Sequence, residues 1–473
     1  MVRQGFFGGV RRRLRDAVVP PPPAQPAPPE ENEIAEETRQ ALRVLDLATD
    51  VSDLLLSSGA SANDVTTTAL RITRAYGLRG VNCDVTYTSI TLSWQPRNRE
   101  PMSTLRVVRA RTTDFTRVQR VMELVEQIEA GELTAAEANG QFRRLNHAPH
   151  PYRRWVVVVS NGGVSIGLGL LWGAQPIVML VTFLATCLID IALQFLARRR
   201  VPAFFQQVVG AAVATSATLL LQWAQAMGLP GLRETQPTLT VTAGIVLLLA
   251  GMSVVGAAQD SLDSFYVTAS ARAFEVVVLT LGIVTGLLVM LRLGTWLGVS
   301  VLLTPAAPQL VAGPVQLVIG SLIISASFAV ACHASLRAVW VASLLGVATL
   351  LAYLAAGGLG FGEIGSCAVA AVLSAVIART LAPRLGVPAL ALITAAIVPL
   401  MPGSMVYRGV LLLTSNQAAV DTVTGMVTLM TAAGVGLALA AGSSLGTYLT
   451  RPMTRQFWRG GKRRFRRHGK IAR

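Results

Sequence analysis

Residues 151–200 read PYRRWVVVVSNGGVSIGLGLLWGAQPIVMLVTFLATCLIDIALQFLARRR. Two apolar runs, 155–172 and 176–196, lie between Arg153-Arg154 and Arg198-Arg199-Arg200. As a helix, each run is long enough to cross the ~30 Å hydrocarbon layer of a bilayer. The pattern then repeats. Further runs fall at 203–223, 238–258, 274–291, 315–332, 338–356, 363–382, 387–413 and 419–446. Ten spans divide as five plus five. An odd number per half makes the second half enter from the opposite side, the plan of an inverted repeat.

Composition agrees. Apolar residues make up 52% of the 473 positions and charged residues 14%, against about 25% charged in ordinary soluble domains. This excludes a simple soluble enzyme, and the long apolar runs exclude a disordered or fibrous chain. The net charge of +16 comes almost wholly from Arg, since the only lysines are Lys462 and Lys470. In the ten-span threading Arg153-Arg154, Arg198–Arg200, Arg272, Arg337, Arg384 and the tail after residue 447 all fall on one side. Basic residues favour the cytoplasmic side, so both termini are expected there. The stretch 293–314, with Pro305, Pro308 and Pro314, reads as an outer loop or a re-entrant segment.

Upstream, 1–33 is basic and then proline-rich (PPPAQPAPPE, 20–29), which reads as a disordered arm. No apolar h-region of a signal peptide follows its arginines. Residues 34–150 read as a small cytoplasmic α+β domain. Helices fit 34–57, 62–76, 114–128 and 134–145, and β-branched runs at 81–89, 90–94 and 104–110 predict three short antiparallel strands. Ser61 and Asp64 have the spacing of a capping box.

Several residues could carry transport chemistry. Asp190 lies within an apolar run, where a charge costs a few kcal/mol or more unless paired; it is either a structural partner or a proton site. Ser253, Gln259, Asp260 and Asp263 cluster at one end of the fourth span, and read as an interfacial cap or as a site for a substrate ammonium or a proton. In 387–413, Pro399 and Pro402 with Gly403 and Ser404 predict a broken helix. The break frees backbone N–H and C=O groups that can hold a zwitterion if a cavity satisfies them. Tyr407 and Arg408 stand about one turn further on. Cys83, Cys187, Cys332 and Cys367 have no metal-ligand spacing with each other or with histidine, so no metal is expected. No hydrolase, nucleotide or dinucleotide motif is present. No cofactor is expected, and the chain does not read as an enzyme. The tail RRFRRHGK, 463–470, directly after a span, fits anionic lipid better than nucleic acid.

Three stretches carry a resemblance: LLLSSGASANDVTTTALRITRAYGL (54–78) with VNCDVTYTSITLSW (81–94), LAGMSVVGAAQDS…VTASARAFE (249–275), and LMPGSMVYRGV (400–410). In order and character they resemble the threonine/serine exporter family in its fused actinobacterial form. The resemblance implies a ten-helix inner-membrane protein that exports threonine and serine on the proton motive force. Some relatives are associated with dicarboxylate export, which leaves a succinate-type exporter as an alternative. A membrane-anchored enzyme or sensor using 34–150 is a second alternative, against which stands the excess of spans over what an anchor needs. Small amino acids, protons and lipids are the expected partners, with self-association open.

Overall fold

The computed structural model describes residues 31–96, 100–108, 113–228, 238–248, 251–297, 312–414 and 419–468. Most of the basic arm lies outside these residues, as does the stretch 298–311. Residues 31–33 belong to a helix rather than to the arm.

The N-terminal layer begins with α1 (Glu31–Ser57) and α2 (Ala62–Ala75), then β1 (Asn82–Val85), β2 (Ser89–Trp94) and β3 (Met102–Val107), then α3 (Phe115–Ala130) and α4 (Ala135–Asn146). The strands form one antiparallel sheet in the order β1-β2-β3, with Cys83 opposite Leu92 and Leu92 opposite Thr104. Alternation in β2 buries Ile90 and Leu92 against Leu45, Val51, Ile72 and Val125 of the helices. The helix ends follow local chemistry. The hydroxyl of Ser61 accepts from the Asp64 N–H at 3.1 Å. Asp114 caps α3 through the Arg117 N–H at 3.0 Å. Thr134 and Glu137 close a capping box on α4. Gly131, at φ +75, ends α3 in the left-handed region that favours glycine.

The membrane part follows as α5 (Arg154–Leu171), α6 (Pro176–Arg198), α7 (Ala203–Ala226), α8 (Thr238–Leu248), α9 (Gly251–Leu262) and α10 (Tyr266–Trp296). It continues with α11 (Pro314–Ala331), α12 (Leu336–Gly358), α13 (Gly362–Leu385), α14 (Ala389–Ile397), a 3₁₀ turn (Val398–Leu400), α15 (Gly403–Thr414) and α16 (Ala419–His468). Among the described residues, eight helices are long and apolar enough to cross a membrane. The bent pair Ala389–Leu400 and Gly403–Leu413 makes up to nine. Large apolar side chains such as Leu184, Leu188, Phe274 and Leu344 face outward, which only a lipid surround makes favourable. The chain is a polytopic membrane protein.

The fifth span starts earlier than its apolar pattern predicts. α10 begins at Tyr266, eight residues before the expected 274. Arg272 is therefore a helical residue only 5% exposed, and Glu275 lies well inside the helix. Both extend α10 to meet the N-terminal layer.

The two sets of helices pack alike. α5 touches α6, α6 touches α7, and α7 touches α10; α11 touches α12, α12 touches α13, and α13 touches α16. Each third–fifth contact uses two small residues four apart. A Cβ on Gly282 or Gly286 would lie 2.7 or 2.2 Å from the carbonyl oxygens of Phe204 or Val208. One on Gly442 or Gly446 would lie 2.5 or 2.7 Å from those of Ala368 or Val372. The sets meet through α5 and α11, where Gly167 and Gly320 let the two backbones approach.

Candidate transport site

The proline-rich segment breaks where its residues require. Pro399 lies in the 3₁₀ turn, and Met401 leaves the helix at ψ 138, with its N–H bonded to the Val398 carbonyl at 3.1 Å. Pro402 then opens α15, and its carbonyl takes the Val406 N–H at 3.0 Å. The axis turns by 43° across the break. Proline supplies no N–H and its ring displaces a carbonyl, so the helical ladder cannot run through. Pro402 and Gly403 are buried, and Ser404 is half-buried.

The two pieces of this helix reach different partners. Leu400, Met401 and Met405 pack beside Val255 of α9 and Leu439 of α16. Tyr407, 8% exposed, enters the first half among Ile189, Ala214, Ile245 and Leu248. In the first half, α8 packs on α15 and α9 packs on α16. Ser253 and Gln259 are half-buried on α9. Among the described residues, the buried Nε of Arg408 has no hydrogen-bond partner.

Asp190 follows Ile189, so the acid stands on the helix that Tyr407 packs against. It is half-buried. The Gln194 amide donates to its Oδ2 at 2.9 Å, and the Asn161 side chain of α5 also bonds to it. These partners are neutral, and among the described residues no basic group pairs with Asp190. The sequence reading missed Asn161; it is 29 positions away and nothing in the chain pattern signals the contact.

Asp260 lies elsewhere. It is 0% exposed, with Arg272 Nε 3.2 Å from its Oδ2. The Ala62 N–H at the start of α2 donates to its Oδ1 at 2.9 Å, and Arg272 Nη2 donates to the Ala60 carbonyl at 3.1 Å. Gly256 makes room, since a Cβ there would sit 2.4 Å from Arg272 Nη1. The carboxylate thus joins membrane helix to N-terminal layer, at the favourable positive end of α2. Asp263 follows one turn later, half-buried beside the tight turn at Ser264, whose φ is +69. No cluster of three metal-ligating side chains occurs among the described residues.

A multi-pass membrane protein with an interrupted helix packed between its two sets of helices has the build of a solute transporter. Comparison with known proteins gives the family. Residues 46–294 match one threonine/serine exporter family model, and residues 317–448 match a second, described as "Threonine/Serine exporter, ThrE". A Mycobacterium tuberculosis protein named "Probable threonine/serine exporter" is 33% identical over 419 residues, covering 87% of this chain and 77% of the relative. The Corynebacterium glutamicum threonine/serine exporter is 31% identical over 424 residues, covering 88% and 84%. No solved structure matches. The chain belongs to the threonine/serine exporter family.

Proposed function

We propose that the protein exports threonine and serine across the cell membrane by secondary transport driven by the proton motive force. The observation that carries this reading is the interrupted helix α14–α15, packed against α8 in a chain of this family. Interrupted helices present unpaired backbone groups that suit the carboxylate and ammonium of an amino acid. Pro399, Pro402, Gly403 and Ser404 open the backbone at the site. Ser253, Gln259, Tyr407 and Arg408 supply polar groups around it. Asp190, held by neutral amides and lacking a cation, is the proton carrier in this reading.

The matched packing of the two halves supports an inverted repeat, with alternating access between them. Docking supports the threading. A small body can touch membrane helices from one side only, so the chain crosses an even number of times between touches. The Tyr152 hydroxyl bonds the Ala334 carbonyl at 2.9 Å, and Phe265 packs into the N-terminal core. Between Tyr152 and Phe265 lie α5, α6, α7 and α8 with α9, which makes four if the last two cross once between them. Between Phe265 and Cys332 lie α10 and α11, already an even number. In this reading the chain crosses ten times, with the N-terminal layer and both termini in the cytoplasm, the side that basic residues favour.

Counterflow in proteoliposomes tests the function. Vesicles loaded with threonine should take up labelled threonine or serine, but not labelled succinate. Exchange of succinate alone would replace this reading with a dicarboxylate exporter.

A further inference from the structure

The N-terminal layer grips the two membrane halves with different chemistry. On the first half the joint is the buried Asp260–Arg272 pair with Ala60 and Ala62, helped by the Thr268 hydroxyl on the Val85 carbonyl at 3.0 Å and by the Tyr87 hydroxyl on Glu275. On the second half the joint is centred on the turn between α11 and α12, with Gln119 also donating to the Gly386 carbonyl at 2.6 Å and Phe115 packed near Ala382 and Val387. The Phe115 N–H donates to the Cys332 carbonyl at 2.9 Å, and the Thr116 hydroxyl donates to the His333 carbonyl. His333 itself has φ +55, in a region rare for residues other than glycine. Its ring lies 4.7 Å from that of His150 and bonds to the Thr113 backbone, and among the described residues its buried Nδ1 has no hydrogen-bond partner.

The titratable and charged groups facing this ring are Asp114, Arg117, His150 and Tyr152 from the N-terminal side and Cys332 from its own turn. Asp114 is already engaged on its own side. Its Oδ2 lies 2.7 Å from His150 Nδ1 and 3.4 Å from Arg117 Nε, and its Oδ1 caps α3. Burial pushes the Cys332 thiol up to about 12, so it stays neutral.

We propose that the second joint is an acid-released latch: a proton on His333 detaches the N-terminal layer from the second membrane half, while the first joint holds. The added proton would place a buried N–H without an acceptor beside Arg117 and His150. Burial, the largest cause, with His150 and Arg117 outweighs the Asp114 charge and the Thr113 backbone bond and holds the docked His333 below the ordinary imidazole range. The docked state therefore prefers the neutral ring. Latching is complete above the free imidazole's pKa of about 6.5 and weakens as pH falls from there toward the lower docked value. The latch would let the compartment facing the layer report its acidity to the bundle, whatever solute the bundle moves.

Hydrogen exchange on the full-length protein in lipid nanodiscs tests this, at pH 7.5 and 5.5 and corrected for the intrinsic pH dependence of exchange. At pH 5.5 the segment containing Phe115 should lose protection by up to about tenfold, the limit set by a free imidazole. The segment containing Ala62 should keep its protection. In His333→Gln the pH response at Phe115 should vanish. Equal protection of the Phe115 segment at both pH values in the unmodified protein would overturn the latch, as would a pH response that survives in His333→Gln. The comparison on the unmodified protein decides by itself should the variant not dock.

Discussion

Asp190 and Asp260 are both acids in apolar surroundings, and their neighbours separate them. Asp190 has two amides, from Gln194 and Asn161, which solvate a carboxylate without neutralising it. A proton is then the available counter-charge. Asp190→Asn is expected to cut threonine efflux at least about tenfold at normal membrane levels, because the amide cannot exchange a proton; labelled efflux from loaded cells measures it. Full efflux in that variant would remove Asp190 from the mechanism. Asp260 has a guanidinium and a helix start instead. Breaking a buried pair from one side typically costs about 3–5 kcal/mol, because the remaining charge is stranded. Arg272→Ala should therefore lower the heat resistance of the purified protein and expose the N-terminal layer to protease. Unchanged protection would mean that the pair does not hold the joint.

Interruption and close approach act at the scale of the helix. The break at 398–402 follows from two prolines, and it was legible because proline's geometry is local. The stretch 238–262 carries no such signal, and residues 249–250, between α8 and α9, lie outside the described residues. Gly282 and Gly286 on α10, and Gly442 and Gly446 on α16, were also silent in the sequence, as glycine pairs four apart are common. Only the facing carbonyls give them a role. Gly286→Leu should force α10 off α7, an overpacking cost of about 1–3 kcal/mol or more. A drop in the temperature at which the detergent-solubilised protein aggregates would report it, and an unaltered temperature would argue against close contact there. The early start of α10 has a similar origin. Polar VTASAR ends an apolar run, but it is good helix sequence once the N-terminal layer satisfies Arg272 and Glu275.

For the molecule as a whole, threading and energetics make separate predictions. In a background lacking the four native cysteines, Gly313→Cys should react with a membrane-impermeant maleimide added to intact cells. His147→Cys should react only after the membrane is opened. The reverse pattern would invert the orientation. Collapsing the proton gradient with a protonophore should stop efflux from energised vesicles, and efflux that continues would point to another coupling ion.

Apolar run length and the placement of arginine were enough to read a polytopic membrane protein. Capping residues and β-branched runs were enough to read the helices and strands of the N-terminal layer. Both signals act over a turn or two of chain, or over one bilayer thickness, so they survive in a single sequence. Which acid is tied into the N-terminal layer and which meets only amides depends on partners far along the chain, Ala62 for Asp260 and Asn161 for Asp190, and His333 meets His150 in the same way. Those pairings arise when separately stable helices pack, and packing is set by shape over the whole bundle rather than by any local pattern.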